Sequence, residues 1–340
     1  MNPTKIAIRT DASVDLGSGH VTRCLTLANE LNRAGMQVTF LCEQLPQHLA
    51  VQIQADGHQL TLLTEPWPSV LPSGGVDLLI IDHYQCDLDW QQTMRHQAKK
   101  NMVIDDLADR YFDCDLLLNQ NIHALAATYQ QKVPESCILL LGPENSLLRP
   151  DFYRLAPQRR VRNRLQRILV AFGGSDSHHL TERILEELVD CPWEIDVVLG
   201  ADSPRQEAVE SLCRKHQQHW TLHIQTEQMA QLKANADLAI GAGGSSHWER
   251  CLLGLPALVI TVAANQKEST RLLHERGACQ WLGDVDTLAP GAVRHAVEKL
   301  AHNPQQLEQM SRIAAEVVPQ NGGTRKVVEA IQFLFAADAI

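Results

Sequence analysis

Apolar and polar positions along the chain switch repeatedly between two spacings. Ile6, Ala7 and Ile8 form a short apolar run that predicts a strand. It ends in the polar, glycine-bearing stretch Arg9-Thr10-Asp11-Ala12-Ser13-Val14-Asp15-Leu16-Gly17-Ser18-Gly19-His20. Beyond it, Val21, Cys24, Leu25, Ala28 and Leu31 recur at i, i+3, i+4, i+7 and i+10, the buried stripe of an amphipathic helix. A strand–loop–helix unit of this kind aims unpaired backbone N–H groups at one point, which suits an anion such as a phosphate. His20 falls in the first turn of the predicted helix, facing whatever binds there, with Arg23 one turn further along the same face. Gly17 and Gly19 would let a ligand approach the backbone closely. A capping or packing histidine is the competing reading of His20.

The alternation continues. Strands are predicted at 37–42, 60–63, 76–81, 102–104 and 116–118, with a short helix at 47–56 between the first two. Val76-Asp77-Leu78-Leu79-Ile80-Ile81 is the near-continuous apolar run of a strand buried on both faces. Several of these runs end in polar tips: Asp82-His83-Tyr84, Asp105-Asp106 and Asn119-Gln120-Asn121. The arginine-rich stretch 158–167 reads as a solvated linker and sets a domain boundary. The pattern then restarts with a strand at 168–172, the loop Gly173-Gly174-Ser175-Asp176 and a helix carrying Leu180, Ile184, Leu185 and Leu188. Further strands at 195–199, 222–224, 237–240 and 257–262 lead to a last helix from about Thr324.

Strands alternating with helices predict an α/β fold with two Rossmann-like, doubly wound parallel sheets. The expected domains are 1–157 and 168–320, with residues 321–340 packing back towards the first. Ligands of such sheets gather outside the carboxyl ends of the strands, so one is expected in a central cleft faced by both domains.

Composition narrows the possibilities. With 340 residues the chain is long enough for two cores, and its formal net charge of -10 argues against a general nucleic-acid partner. No apolar run approaches the roughly 20 residues of a membrane span, and no signal peptide is visible. The nine cysteines are odd in number and form no C-x-x-C pair, which fits reduced, buried thiols in a cytoplasmic protein. The histidines show no spacing with a metal mechanism behind it, so no metal site is expected.

A second glycine-dense junction follows Asp237-Leu238-Ala239-Ile240: Gly241-Ala242-Gly243-Gly244-Ser245-Ser246-His247-Trp248-Glu249. It is not the dinucleotide fingerprint and lacks the P-loop lysine. Its glycines and hydroxyls nevertheless make a seat for a diphosphate. Glu249, one turn into the helix, could accept hydrogen bonds from ribose hydroxyls, or could simply be an exposed helical glutamate. A nucleoside diphosphate is a leaving group whose terminal phosphate has a pKa of about 6, so it departs without a protein acid. Hydrolysis would need a base for water and a seat for the diphosphate, and a histidine can serve as the base. No carboxylate pair of the glycosidase kind stands out.

Six ordered motifs now carry a resemblance. They are Arg9-Thr-Asp-Ala-Ser with Gly17-Ser-Gly-His20-Val-Thr-Arg23; Ile81-Asp-His-Tyr84; Ile104-Asp-Asp106 with Cys114-Asp-Leu-Leu-Leu-Asn119; Gly173-Gly-Ser-Asp176; Gly241 to Glu249; and Asn265-Gln-Lys-Glu-Ser-Thr270. The chain resembles the UDP-sugar hydrolases of pseudaminic acid biosynthesis, the PseG family, within the GT-B superfamily. The resemblance implies hydrolysis of UDP-2,4-diacetamido-2,4,6-trideoxy-β-L-altropyranose with inversion, needing neither metal nor cofactor. It implies His20 as the residue that positions or deprotonates water. Tyr84, Asn265 and Gln266 would line the sugar site, and Gly17, Gly19, Gly243, Gly244, Ser245, Ser246 and Glu249 would hold UDP. Asp11 matches a loop carboxylate, with bracing favoured over a role near the water, and His83 is read as structural. Gly173 and Ser175 match a turn facing the cleft, although a plain structural turn explains them as well. The expected partner is a small-molecule UDP-sugar, with no nucleic acid and no membrane, bound by a monomer. A GT-B glycosyltransferase and a non-catalytic nucleotide-sugar binding protein are the alternatives.

Overall fold

The computed structural model describes residues 3–13, 16–65, 67–68, 70–71, 75–174, 176–201 and 203–336. The chain divides into two compact units, Met1–Leu148 with Asn321–Ile340, and Arg149–Gln320.

In the first unit β1 (Lys5–Thr10), β2 (Gln37–Cys42), β3 (Gln59–Leu62), β4 (Val76–Asp82), β5 (Ala98–Ile104), β6 (Leu116–Asn119) and β7 (Ile138–Leu141) form one sheet. Its order is β3-β2-β1-β4-β5-β6-β7 and every pairing is parallel. The inner strands β1, β4 and β6 are buried on both faces, which explains their continuous apolar runs. Ile6, Ile8, Leu78 and Ile80 point to one side, where they meet Val21, Cys24 and Ala28 of the helix Gly19–Arg33. Val327, Val328 and Ile331 of the helix Thr324–Ala336 join the same core. Ala7, Leu79 and Ile81 point to the other side, against Trp90 and Tyr129. Successive side chains alternate across a strand, so the last residues of β1 and β4 are also sorted by face.

In the second unit β8 (Arg167–Ala171), β9 (Glu194–Leu199), β10 (Trp220–Ile224), β11 (Leu238–Gly241), β12 (Ala257–Thr261) and β13 (Gln280–Asp284) follow the order β10-β9-β8-β11-β12-β13, again parallel. Each sheet reverses its winding direction once, between β1 and β4 and between β8 and β11. A doubly wound sheet leaves a crevice for ligands at that point. The glycine-bearing loops after β1, β8 and β11 all lie there.

The edge strand β13, Gln-Trp-Leu-Gly-Asp, carries no clear apolar run and its positions are half-buried, whereas β7 is a plain apolar run, Ile138-Leu139-Leu140-Leu141, that the strands expected above omit. The arginine stretch also differs from a solvated linker. Arg162 is 1 % exposed, and its guanidinium donates to the carbonyls of Arg160 (3.0 Å), Ala234 (3.1 Å), Ala236 (3.2 Å), Lys233 (3.4 Å) and Leu253. Three of those carbonyls lie at the end of the helix Met229–Asn235, whose last turn has no helical partners of its own. Burial lowers the Arg162 guanidinium to about 10. Among the described residues, no helix is long and apolar enough to cross a membrane.

Candidate functional site

At the β1/β4 crevice, Gly17 turns the loop with φ +73°, a conformation that favours glycine, and the helix Gly19–Arg33 begins two residues later. A side chain at Gly19 would meet open space, so Gly19 is not required by crowding. His20 is thereby held over the end of β4. Its Nδ1 lies 2.7 Å from Oδ1 of Asp82, the last residue of that strand. Asp82 is 1 % exposed and also accepts from Arg23 through Nε (2.7 Å) and Nη2 (2.6 Å), and from the Cys24 thiol (3.3 Å). Arg23 reaches on to Asp106 with Nη1 (3.0 Å) and Nη2 (2.9 Å). Asp106 in turn accepts from the Tyr84 hydroxyl (3.0 Å) and from Asn121 Nδ2 (2.9 Å). The Tyr84 ring stands edge-on to His20 with centroids 4.7 Å apart.

The charges decide what His20 can do. Burial by itself would raise the Asp82 carboxyl, but the Arg23 guanidinium and His20 hold it well below the usual carboxylate range. Burial likewise opposes ionisation of Asp106, and Arg23 again prevails and lowers it. For Arg23 the desolvation penalty is outweighed by Asp106 and Asp82, which raise it well above its ordinary value. An ionised carboxylate only accepts, so the Nδ1 beside Asp82 carries the proton, and in the neutral imidazole Nε2 then presents the lone pair. The Tyr84 hydroxyl spends its proton on Asp106, which turns oxygen lone pairs towards other partners.

Two expected ligand contacts, Arg23 and Gln266, change character here, while Asp11 takes the bracing role favoured for it. Arg23 does not face a ligand: four hydrogen bonds bind it to Asp82 and Asp106, because two buried carboxylates need a cation between them. Asp11 accepts from Arg9 (2.6 and 3.0 Å) and from the backbone N–H groups of Glu43 (2.8 Å) and Gln44 (3.3 Å), which ties the loop to the end of β2. His83 Nε2 lies 3.2 Å from the Asp11 carboxylate, on the sheet face opposite His20. Gln266 is considered with the second unit.

In the second unit the loop after β11 is held from several sides. A Cβ on Gly241 would lie 2.3 Å from the Ala171 carbonyl oxygen, and one on Gly243 would lie 2.9 Å from Gln266 Cβ. Gly244 takes φ +75°. The Gln266 side-chain carbonyl accepts from the backbone N–H groups of Gly243 (3.3 Å) and Val262 (3.1 Å), so that oxygen braces the loop instead of facing a sugar. Ser245 precedes the helix Ser246–Leu252, and Ser246 Oγ accepts from Lys233 Nζ at 2.7 Å. Lys233 also pairs with Glu249. Glu249 is therefore neither a plain surface residue nor free of protein contacts, and its carboxylate remains partly exposed. Asn265 is exposed in the turn Ala264–Gln266. Gly173 opens the turn after β8 with φ +92°, and Ser175 lies outside the described residues.

Asp82, Asp106, Lys233 and Arg250 were not singled out as site residues. A carboxylate closing an apolar strand run marks Asp82, whereas the lysine and arginine look like ordinary helical cations until their burial is known.

Residues 168–325 match the model of the glycosyltransferase family 28 C-terminal domain. The chain is 28 % identical over 277 residues to an uncharacterised protein of Methanocaldococcus jannaschii, MJ1062, covering 78 % of this chain and 57 % of that one. The chain thus spans little more than half the length of that relative. It is 26 % identical over 274 residues to a UDP-2,4-diacetamido-2,4,6-trideoxy-β-L-altropyranose hydrolase of Campylobacter jejuni, covering 80 % of this chain and 97 % of the other. Among solved structures, Acinetobacter baumannii MurG superposes with a TM-score of 0.64 at 17 % identity, over 97 % of this chain and 99 % of MurG. These matches support the resemblance read from the motifs, and the fold is GT-B.

Proposed function

We propose that this protein is a UDP-sugar hydrolase that converts UDP-2,4-diacetamido-2,4,6-trideoxy-β-L-altropyranose to UDP and the free sugar, with inversion at the anomeric carbon, in pseudaminic acid biosynthesis. The observation that carries this reading is the buried His20–Asp82 pair with Tyr84 standing beside it. A water that donates one hydrogen to His20 Nε2 and the other to the Tyr84 oxygen presents a lone pair to the anomeric carbon. As its oxygen bonds to that carbon, His20 takes the proton and the C–O bond to UDP breaks, its electron pair leaving on the diphosphate. Asp82 stabilises the imidazolium that forms, and His20 then returns the proton to solvent. The diphosphate needs no protein acid, since its terminal pKa is about 6. The loop Gly241–Ser246 is proposed to hold the diphosphate, and Glu249 the ribose. On the same resemblance the enzyme is proposed to act as a cytoplasmic monomer without a metal.

The test is to incubate the purified protein with the UDP-sugar in EDTA and follow the anomeric proton by NMR. Prompt release of UDP and the opposite anomer without an acceptor is the expected result. The family 28 domain match favours one rival, a glycosyltransferase in which an acceptor hydroxyl replaces water. Substrate that binds yet stays intact until an acceptor is added would replace the hydrolase reading with that one.

A further inference from the structure

Two long cations lie beneath the loop Gly241–Ser246, and the chemistry above uses neither. Lys233 is 2 % exposed, yet its ammonium donates to Ser246 Oγ at 2.7 Å and to the Glu249 carboxylate. Arg250 is 3 % exposed and donates from Nη2 to the Ala242 carbonyl (2.9 Å) and to His247 Nδ1 (3.0 Å), with Nη1 3.5 Å from Ser246 Oγ. Its Nε is buried without any partner, and among the described residues no carboxylate pairs with it.

The other groups nearby leave this charge standing. His247 accepts at Nδ1 and donates from Nε2 to Thr270 (2.9 Å), and burial holds it far below its ordinary value, so it is neutral. Arg149, whose field also reaches Lys233, has its own partner in Asp151 at 3.3 Å. Glu249 is the carboxylate that acts on both buried cations, and it is already paired with one. The cluster therefore holds two positive charges against one negative. Burying a cation without a counter-ion is costly, and the desolvation shows as a lowered value for both Lys233 and Arg250. What the cluster lacks is an anion, and the atoms it grips are those of the glycine loop itself, the Ala242 carbonyl and the Ser246 hydroxyl.

We propose that Lys233 and Arg250 supply the counter-charge for the diphosphate of a bound nucleoside diphosphate. They are positioning residues, which act through Ser246 and the Ala242 peptide without touching the ligand. This deepens the proposed function and rests on its assignment of the loop to a diphosphate. A field from buried charges acts on the phosphates and not on a neutral nucleoside, so the ratio of UDP to uridine affinity reports it.

The experiment is a titration of the full chain with UDP and with uridine, for the parent protein, Arg250→Met, Arg250→Lys and Lys233→Met. The expected result is a fall of about tenfold in the UDP-to-uridine affinity ratio for both methionine variants. Arg250→Lys keeps the charge and should stay near the parent ratio. Should Arg250→Met not fold, Lys233→Met carries the same test. An unchanged ratio in a folded methionine variant, or equal weakening of both ligands, overturns the inference. Failure of the parent protein to bind UDP at all overturns the nucleotide reading beneath it, which is a separate outcome.

Discussion

His20 Nδ1 and Asp82 Oδ1 stand 2.7 Å apart although 62 positions separate them in the chain. One belongs to the first turn of the helix after β1 and the other ends β4, the strand that pairs with β1 in parallel register, Thr10 opposite Asp82. Asp82 is held on the same side by both Arg23 and His20, so the imidazole is fixed in one tautomer and one orientation.

That fixing is directly testable. Asp82→Asn offers an amide that can donate to Nδ1 and leave the proton on Nε2, the wrong tautomer for a base. Turnover should fall by about 10²–10⁴-fold with KM little changed, and His20→Ala should lose a similar amount. The double variant should be no worse than His20→Ala alone, since the two act as one unit. Full activity in a folded Asp82→Asn would remove Asp82 from the mechanism.

Arg23 stands between two carboxylates and has no exposed alternative. Arg23→Met leaves both Asp82 and Asp106 without their cation, which should destabilise the protein by about 3–5 kcal/mol in denaturant unfolding. Adding Asp82→Asn to that variant should recover part of the loss, because one uncompensated charge is removed. A loss under about 1 kcal/mol, the scale of an exposed pair, would show that the pair is solvated.

The same carboxylates set the response to acid. Asp82, Asp106 and Asp11 are all held below their ordinary values in the folded state. The unfolded chain takes up their protons near pH 3.9, roughly the ordinary value for aspartate. Their contribution is therefore present above that pH and is lost as pH falls below it towards the depressed folded values. Melting temperature should drop steeply on acidification below about pH 4, and Arg23→Met should show a shallower drop. Identical slopes in the two proteins would contradict the linkage.

Gly243 is tested by a single methyl group. In Gly243→Ala the new Cβ would lie 2.9 Å from Gln266 Cβ and 3.1 Å from Thr270 Oγ1, so the loop or the helix Lys267–Arg276 must shift. The overpacking should cost about 1–3 kcal/mol of stability, and UDP binding should weaken because the braced loop moves. Unaltered UDP affinity would mean that the loop conformation does not matter to the nucleotide.

Periodicity alone determined much of this protein. The runs at Ile6–Ile8 and 76–81 read as buried strands, and the stripe from Val21 to Leu31 as a core-facing helix, because burial imposes those spacings locally. Glycines that precede a helix mark a turn for the same local reason, so both loop regions were legible, as was His20 as a candidate, while Tyr84 entered only through the family resemblance. The edge strand β13 was not, since its half-buried positions impose no strict pattern. Charge partners were beyond the sequence as well. Arg23 looks like a ligand-facing cation, Gln266 like a sugar contact and 158–167 like a solvated linker. Only the packed chain brings Asp82 and Asp106 to Arg23, the Gly243 amide to Gln266 and the helix-end carbonyls to Arg162. Burial raises the cost of leaving any of those groups unpaired, and the partners that satisfy them come from distant parts of the sequence.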